Sequence, residues 1–242
     1  MIERIVEKKK LEVEGLVGQS FGPRQRPVRK LAFDGPVNII AELKRKSPSA
    51  GFIGEIDEGR IGAYSRYARA ISVLTDSFFF GGSYKFLDRV AAMTDLPLLC
   101  KDFIIDRKQI DRAYAAGADL VLLIARILTR AQLELLYGHA RDLGLSCLVE
   151  IHGREELDRI PGIDPEIIGV NSRDLDTLEI DLEKAARTLA CVTSPMRIAE
   201  SGIRSKDDIE RMARAGANGF LVGEALMRSK EPAAAFEELL RG

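Results

Sequence analysis

The chain has 242 residues, 46% of them hydrophobic and 30% charged, which is enough for a sizeable core and short enough for one domain. Its 36 lysines and arginines nearly balance 37 aspartates and glutamates, and with a net charge of -1 and no long run of either sign it offers little to nucleic acid or an anionic membrane. No stretch reaches the roughly 20 apolar residues of a bilayer span, and Met1 to Lys10 is charged where a signal peptide would be hydrophobic, so a cytoplasmic protein with a small-molecule partner is expected.

Residues 1–36 open the chain without a repeating pattern. Leu11 to Val17 is mildly apolar, and Phe21 to Lys30 is a connector rich in proline and arginine. A helix covering one end of a larger unit, a lid over a site, or a plain surface extension would each fit. From residue 37 short apolar runs alternate with stretches of helical period, the mark of repeated βα units. There are eight such runs: Val37 to Leu43, Ile71 to Leu74, Leu98 to Lys101, Leu120 to Ile124, Cys147 to Glu150, Ile167 to Val170, Arg197 to Glu200 and Gly219 to Val222. Eight units predict an α/β fold, a closed (β/α)8 TIM barrel forming a single domain over residues 1–242.

The intervening helices carry start signals, Asp106 ahead of Ile110, Ala113 and Tyr114, and Ser205 ahead of Ile209, Met212 and Ala213. Two exits echo one another four units apart. Ala116-Gly117-Ala118-Asp119 and Ala215-Gly216-Ala217-Asn218 each place glycine where a left-handed stop is needed, which hints at half-barrel symmetry.

Most runs end in charged or polar residues, as a purely structural strand would not, because an unpaired buried charge costs several kcal/mol. The ends are Glu42 and Lys44, Asp76, Lys101 and Asp102, Glu150, Asn171 and Arg173, Glu200 and Ser201, and finally Gly223; the fourth run alone ends apolar, at Leu122 to Ile124. Taken singly each suits a solvated turn. Closure of a barrel would bring them to one rim, where lysines and glutamates in a partly dry site supply proton donors and acceptors.

After the seventh and eighth runs, Glu200-Ser201-Gly202-Ile203 and Gly223-Glu224-Ala225-Leu226-Met227 place glycines where barrels of this kind cradle phosphate, provided Glu224 points its carboxylate away. Phe78-Phe79-Phe80 and Phe103 add aromatic surface near the same rim, and three consecutive phenylalanines cannot all face one core. The cysteines, Cys100, Cys147 and Cys191, are expected as buried reduced thiols. Of the two histidines, His139 is expected at the surface, while His152 either lines a site or has no role; neither has the cluster a transition metal needs.

Across nearly its whole length the chain resembles the indole-3-glycerol phosphate synthase family. Ala41-Glu42-Leu43-Lys44-Arg45-Lys46-Ser47-Pro48-Ser49, Cys100-Lys101-Asp102-Phe103-Ile104, Leu148-Val149-Glu150, Gly169 to Leu175, Ala199 to Ile203 and Leu221 to Met227 are similar to its signature segments, in its order. The resemblance implies a (β/α)8 barrel whose N-terminal helical extension, residues 1–36, covers the active-site end. It also implies a carboxy-lyase of tryptophan biosynthesis that uses no metal and no cofactor. The substrate implied is 1-(2-carboxyphenylamino)-1-deoxyribulose 5-phosphate, which undergoes ring closure, decarboxylation and dehydration to indole-3-glycerol phosphate.

By the same resemblance Lys101 is the acid for ring closure, Glu150 the acid/base of dehydration and Lys44 a ligand for substrate anions, with the two lysines interchangeable and Glu42 holding them. Asn171, Arg173, Glu200 and Ser201 would contact hydroxyls and carboxylate, Phe80, Phe103 and Leu122 the aromatic ring, and Ser47, Gly202, Gly223 and Glu224 the phosphate region. The chain departs from some relatives in having no tryptophan in the extension, and its few Asn and Gln residues would suit a thermophile. A phosphoribosyl isomerase of similar build, or a barrel that binds phosphate without turnover, are the competing expectations. Two lysines with several glutamates and an apolar ring pocket favour the synthase, and with no exposed apolar stripe a monomer is expected.

Overall fold

The computed structural model describes residues 1–160 and 162–241. Eight parallel strands close a barrel: β1 (Asn38–Leu43), β4 (Ala70–Leu74), β5 (Leu98–Lys101), β6 (Leu120–Ile124), β7 (Ser146–Ile151), β8 (Ile167–Asn171), β9 (Met196–Glu200) and β10 (Gly219–Val222). Consecutive strands are neighbours, and β1 closes the ring by pairing Asn38 with Gly219 and Ala41 with Val222. All eight expected runs are strands, with ends displaced by a residue or so. A feature not anticipated is a short hairpin after β1, made of β2 (Lys46–Ser47) and β3 (Gly51–Phe52).

Helices α2 (Glu58–Tyr67), α3 (Tyr84–Ala91), α4 (Arg107–Ala115), α5 (Arg130–Asp142), α6 (Leu182–Leu189), α7 (Lys206–Arg214), the short α8 (Glu224–Arg228) and α9 (Pro232–Leu240) surround the barrel. Asp106 and Ser205 cap α4 and α7, each in a reciprocal box with the residue three positions on, Gln109 and Asp208. Gly117 and Gly216 have φ of 89° and 106°, the left-handed stops anticipated at the two matching exits.

Side chains alternate along each strand, so the core has two parts. Ile39, Ala41 and Leu43 face outward to the helices, while Ile40, Leu99, Leu120, Leu148, Ile198 and Leu221 fill the barrel interior. Residues one pleat further along the inward set form the carboxyl-end rim. At the opposite end Leu31 joins the interior cluster, and the Phe33 ring lies so close beneath Gly219 that a side chain there would strike it.

The N-terminal segment begins with α1 (Ile2–Glu14), followed by a connector without regular structure. Within the mildly apolar stretch Leu11 to Val17, the two end residues are 60% and 76% exposed, while Leu16 is buried, as are Ile5 and Lys9 of α1. The connector runs to the amino-terminal end of the barrel, where the guanidiniums of Arg24 and Arg26 pair with buried Asp119, at 2.5 and 3.2 Å. Two expectations are corrected. Cys191 is exposed because it follows the last turn of α6, while Cys100 and Cys147 are buried free thiols. His139 is half-buried, because its position on α5 brings it 2.7 Å from Asp111 of α4.

Candidate active site

The inward alternation decides which rim residues meet. Glu42 and Lys44 continue the face of Ile40, Lys101 that of Leu99, Glu150 that of Leu148 and Glu200 that of Ile198, so each projects over the barrel axis from its own strand. A single cleft of about 1110 Å³, open mouth included, lies above them. Its walls include every residue to which the family resemblance gives a role: Glu42, Lys44, Ser47, Phe80, Lys101, Phe103, Leu122, Glu150, Asn171, Arg173, Glu200, Ser201, Gly202, Gly223 and Glu224.

At the floor, Lys101 Nζ lies 3.2 Å from Glu150 Oε2 and 3.0 Å from Glu200 Oε2. Burial alone would lower the lysine's pKa, but Glu200 and Glu150 outweigh it and hold the ammonium well above its ordinary range. One cation cannot fully compensate two buried carboxylates, so the glutamates divide. Burial, reinforced by its neighbour Glu150 and only partly offset by Lys101, pushes Glu200 up to about 7. Burial acts on Glu150 too, but Lys101 and His152 together hold it below the usual carboxylate range. Gly169 makes room for this arrangement, since a side chain there would collide with the Glu200 carboxylate.

Glu42 Oε1 is 2.5 Å from Lys44 Nζ, so it steadies that lysine, whereas Lys101 is gripped by Glu150 and Glu200. Gly223 permits the Glu42–Lys44 pair, because a Cβ at that position would run into both side chains. His152 is buried behind the floor and not in the cleft wall, with Nε2 3.3 Å from Glu150 Oε1 and Nδ1 3.5 Å from Glu156 Oε2, neither aligned as a hydrogen bond.

On one side the backbone turns sharply. Ser201 and Gly202 are both left-handed, with φ of 62° and 75°, and Ser172 Oγ braces the turn by donating to the carbonyls of Glu200 and Ser201. Beside it Gly223 precedes α8, and Glu224 is turned back onto Arg228 Nε at 2.9 Å, leaving the amide end of that helix clear of its carboxylate. Arg173 is held by donating to the Leu178 carbonyl at 2.9 Å. The opposite side is apolar, with the Phe80 and Phe103 rings 6.1 Å apart and Leu122 and Ile124 below. Phe78 is exposed, so the three consecutive phenylalanines do divide between solvent and cleft.

Some wall residues gave no sequence signal. Met1, which precedes α1, and Ile5 within it, with Leu175 and Leu178 of the loop after β8, complete the mouth. The two segments are tied together, for the Met1 ammonium and the Ile2 amide both donate to Asp176 Oδ1, and Arg126 reaches Asp174 and Asp176 at 3.1 and 2.7 Å. Only the spacing of Ile2 and Ile5, three apart on α1, would have pointed to that helix's buried side.

Comparison with known proteins agrees with this geometry. The family profile described as indole-3-glycerol phosphate synthase matches residues 3–239. Proteins of that name are 43% identical over 246 residues in Bacillus cereus and 44% identical over 248 residues in Bacillus mycoides, each match covering 98% of this chain and 97% of the relative. Among solved structures, a 3-hexulose-6-phosphate synthase from Salmonella typhimurium shares the barrel with a TM-score of 0.66 at 14% identity, over 84% of this chain and 96% of that one. A chain of the Pyrococcus furiosus tryptophan synthase complex does so with a TM-score of 0.63 at 17% identity, over 86% and 99%.

Proposed function

The chain belongs to the indole-3-glycerol phosphate synthase family, carboxy-lyases of tryptophan biosynthesis, and from that premise we propose how its rim residues divide the reaction. The enzyme closes, decarboxylates and dehydrates 1-(2-carboxyphenylamino)-1-deoxyribulose 5-phosphate to indole-3-glycerol phosphate. The observation that carries the division of roles is the Lys101 ammonium held between Glu150 and Glu200 at the meeting point of an apolar wall and a glycine-lined turn.

The benzoate ring of the substrate packs between Phe80, Phe103 and Leu122, and its carboxylate pairs with Lys44. The phosphate rests on the backbone amides about Gly202 and Gly223, with Ser47 on the facing loop and Glu224 turned aside. Asn171, Arg173 and Ser201 take the remaining hydroxyl and carboxylate oxygens. In ring closure the carbon bearing the carboxyl group attacks the chain carbonyl, and the oxygen takes a proton from Lys101 as its negative charge develops. Carbon dioxide then leaves, and its bonding electrons return to the ring. In dehydration the carbon between nitrogen and the former carbonyl carbon gives up a proton to Glu150, an anion in the free site, the C–O bond breaks, and the hydroxyl leaves as water with that proton. Glu200, which burial leaves only partly ionised near neutral pH, keeps Lys101 aimed while cancelling less of its charge than a full carboxylate would. Lys44 lies on the same rim and is interchangeable with Lys101 in principle, but its pairing with Glu42 favours anion binding. The start of the N-terminal extension, where Met1 and Ile5 line the mouth, serves as the cover of the site, while its connector fastens the opposite end of the barrel, and we take the enzyme to be a cytoplasmic monomer.

The test is turnover without added metal. Lys101→Met is expected to reduce indole formation by about 10²–10⁴-fold. Glu150→Gln is expected to leave ring closure measurable while slowing dehydration, so that a closed, decarboxylated intermediate accumulates. Unchanged rates in both variants would rule out these roles.

A further inference from the structure

Lys9 is the one lysine of α1 that is wholly buried, with its side chain 1% exposed, although Lys10 beside it is exposed. Its ammonium lies 2.8 Å from Asp76 Oδ2, 2.6 Å from Asp102 Oδ1 and 2.8 Å from Glu12 Oε2. Asp76 and Asp102 follow β4 and β5 and are themselves buried, so without a cation they would be two neighbouring desolvated carboxylates. Burial alone would lower the pKa of Lys9, but Asp102 and Asp76 outweigh it and keep the group charged.

Each carboxylate is also tied to the cleft. Asp76 Oδ1 accepts from the Phe79 amide at 2.6 Å and the Phe80 amide at 3.1 Å, and Asp102 Oδ1 accepts from the Phe103 amide at 2.8 Å. The far oxygen of Asp102 accepts from Thr75 Oγ1 at 2.8 Å, while Asp76 Oδ2 accepts no aligned hydrogen bond among the described residues and faces only the charge of Lys9 within the cluster. The ammonium is thus one carboxylate removed from the backbone of both phenylalanines that form the apolar wall.

We propose that Lys9 is a positioning residue for ring recognition: by holding Asp76 and Asp102 together it fixes Phe80 and Phe103 at the spacing that receives the aromatic end of the substrate. Lys9 touches no substrate itself, and the inference rests on the ring-binding role given above to those phenylalanines. Removing the ammonium leaves two like charges that move apart, and each movement is passed to a phenylalanine amide. The phosphate turn makes no contact with this cluster, and the ammonium of Lys101, although its backbone adjoins Asp102, is held on the other side by Glu150 and Glu200, so the effect falls on the ring end.

The experiment is steady-state kinetics of Lys9→Met with the carboxyphenylamino substrate, together with inhibition by inorganic phosphate. The expected result is a KM raised about tenfold, equivalent to roughly 1.4 kcal/mol, with kcat and the inhibition constant of phosphate changed less than about threefold. In the triple variant K9M/D76N/D102N the asparagine oxygens still accept from the amides but leave no uncompensated charge, so KM is expected to return toward its original value. This variant also answers the question if Lys9→Met does not fold. Lowered thermal stability with unchanged KM in Lys9→Met, or a KM that stays high in the triple variant, overturns the proposal. If the unmodified protein does not turn over the substrate at all, the functional division fails first, and the two failures are distinguished.

Discussion

Glu200 shows how a single side chain is tuned by its surroundings and what can be measured as a result. Its pKa rises from 4.5 to about 7 through burial and the nearby Glu150, so between those values the folded protein keeps a proton that the unfolded chain has released. Stability should therefore fall as pH rises through that window, and His152, whose pKa is raised by Glu156 and Glu150 against the effect of burial, adds a loss at higher pH. Glu200→Gln is expected to flatten the decline between 4.5 and about 7 in denaturant unfolding series, leaving the histidine's contribution. The site carboxylates and lysines were legible in the sequence because charge at the end of an apolar run is unusual and the signature segments name the positions. Lys9 was not legible. A lysine within Glu7-Lys8-Lys9-Lys10 reads as solvated, and only the meeting of α1 with the ends of β4 and β5 makes burial affordable, through two carboxylates some 70 and 90 residues away.

At the level of elements, the strands were readable because each carries β-branched and leucine-rich residues bounded by turn signals, and Asp106, Ser205, Gly117 and Gly216 mark helix ends by chemistry that acts locally. The hairpin of β2 and β3 was not, since two residues per strand show no period. Cys191 and His139 were misjudged because their exposure depends on which side of a helix a neighbouring element covers. Strand β8 illustrates a constraint the sequence hides. Gly169 lies on its inward face beside Glu200, and no turn requires it. Gly169→Ala is expected to cost about 1–3 kcal/mol by overpacking and to depress turnover further, because Glu200 must shift from Lys101. Equilibrium unfolding alongside kinetics separates the two effects.

Over the whole molecule, stability and chemistry are placed at opposite ends. The amino-terminal end of the barrel is fastened by Asp119, which pairs with Arg24 and Arg26 and accepts from the amides of Arg29 and Leu98, both at 2.9 Å. Asp119→Ala strands two partly buried guanidiniums and two amides, and a loss of about 3–5 kcal/mol is expected with KM unchanged, read by denaturant unfolding and kinetics. The closure of β1 on β10 has a kinetic counterpart. The pair Asn38 and Gly219 join residues 181 apart, and the same seam sets Glu42 and Lys44 against Gly223. Loops of that length close late and slowly, and a nascent chain still lacking β10 has neither the seam nor the completed anion cradle. A barrel still lacking its last strand is therefore expected to show no turnover, an order of events that the topology sets.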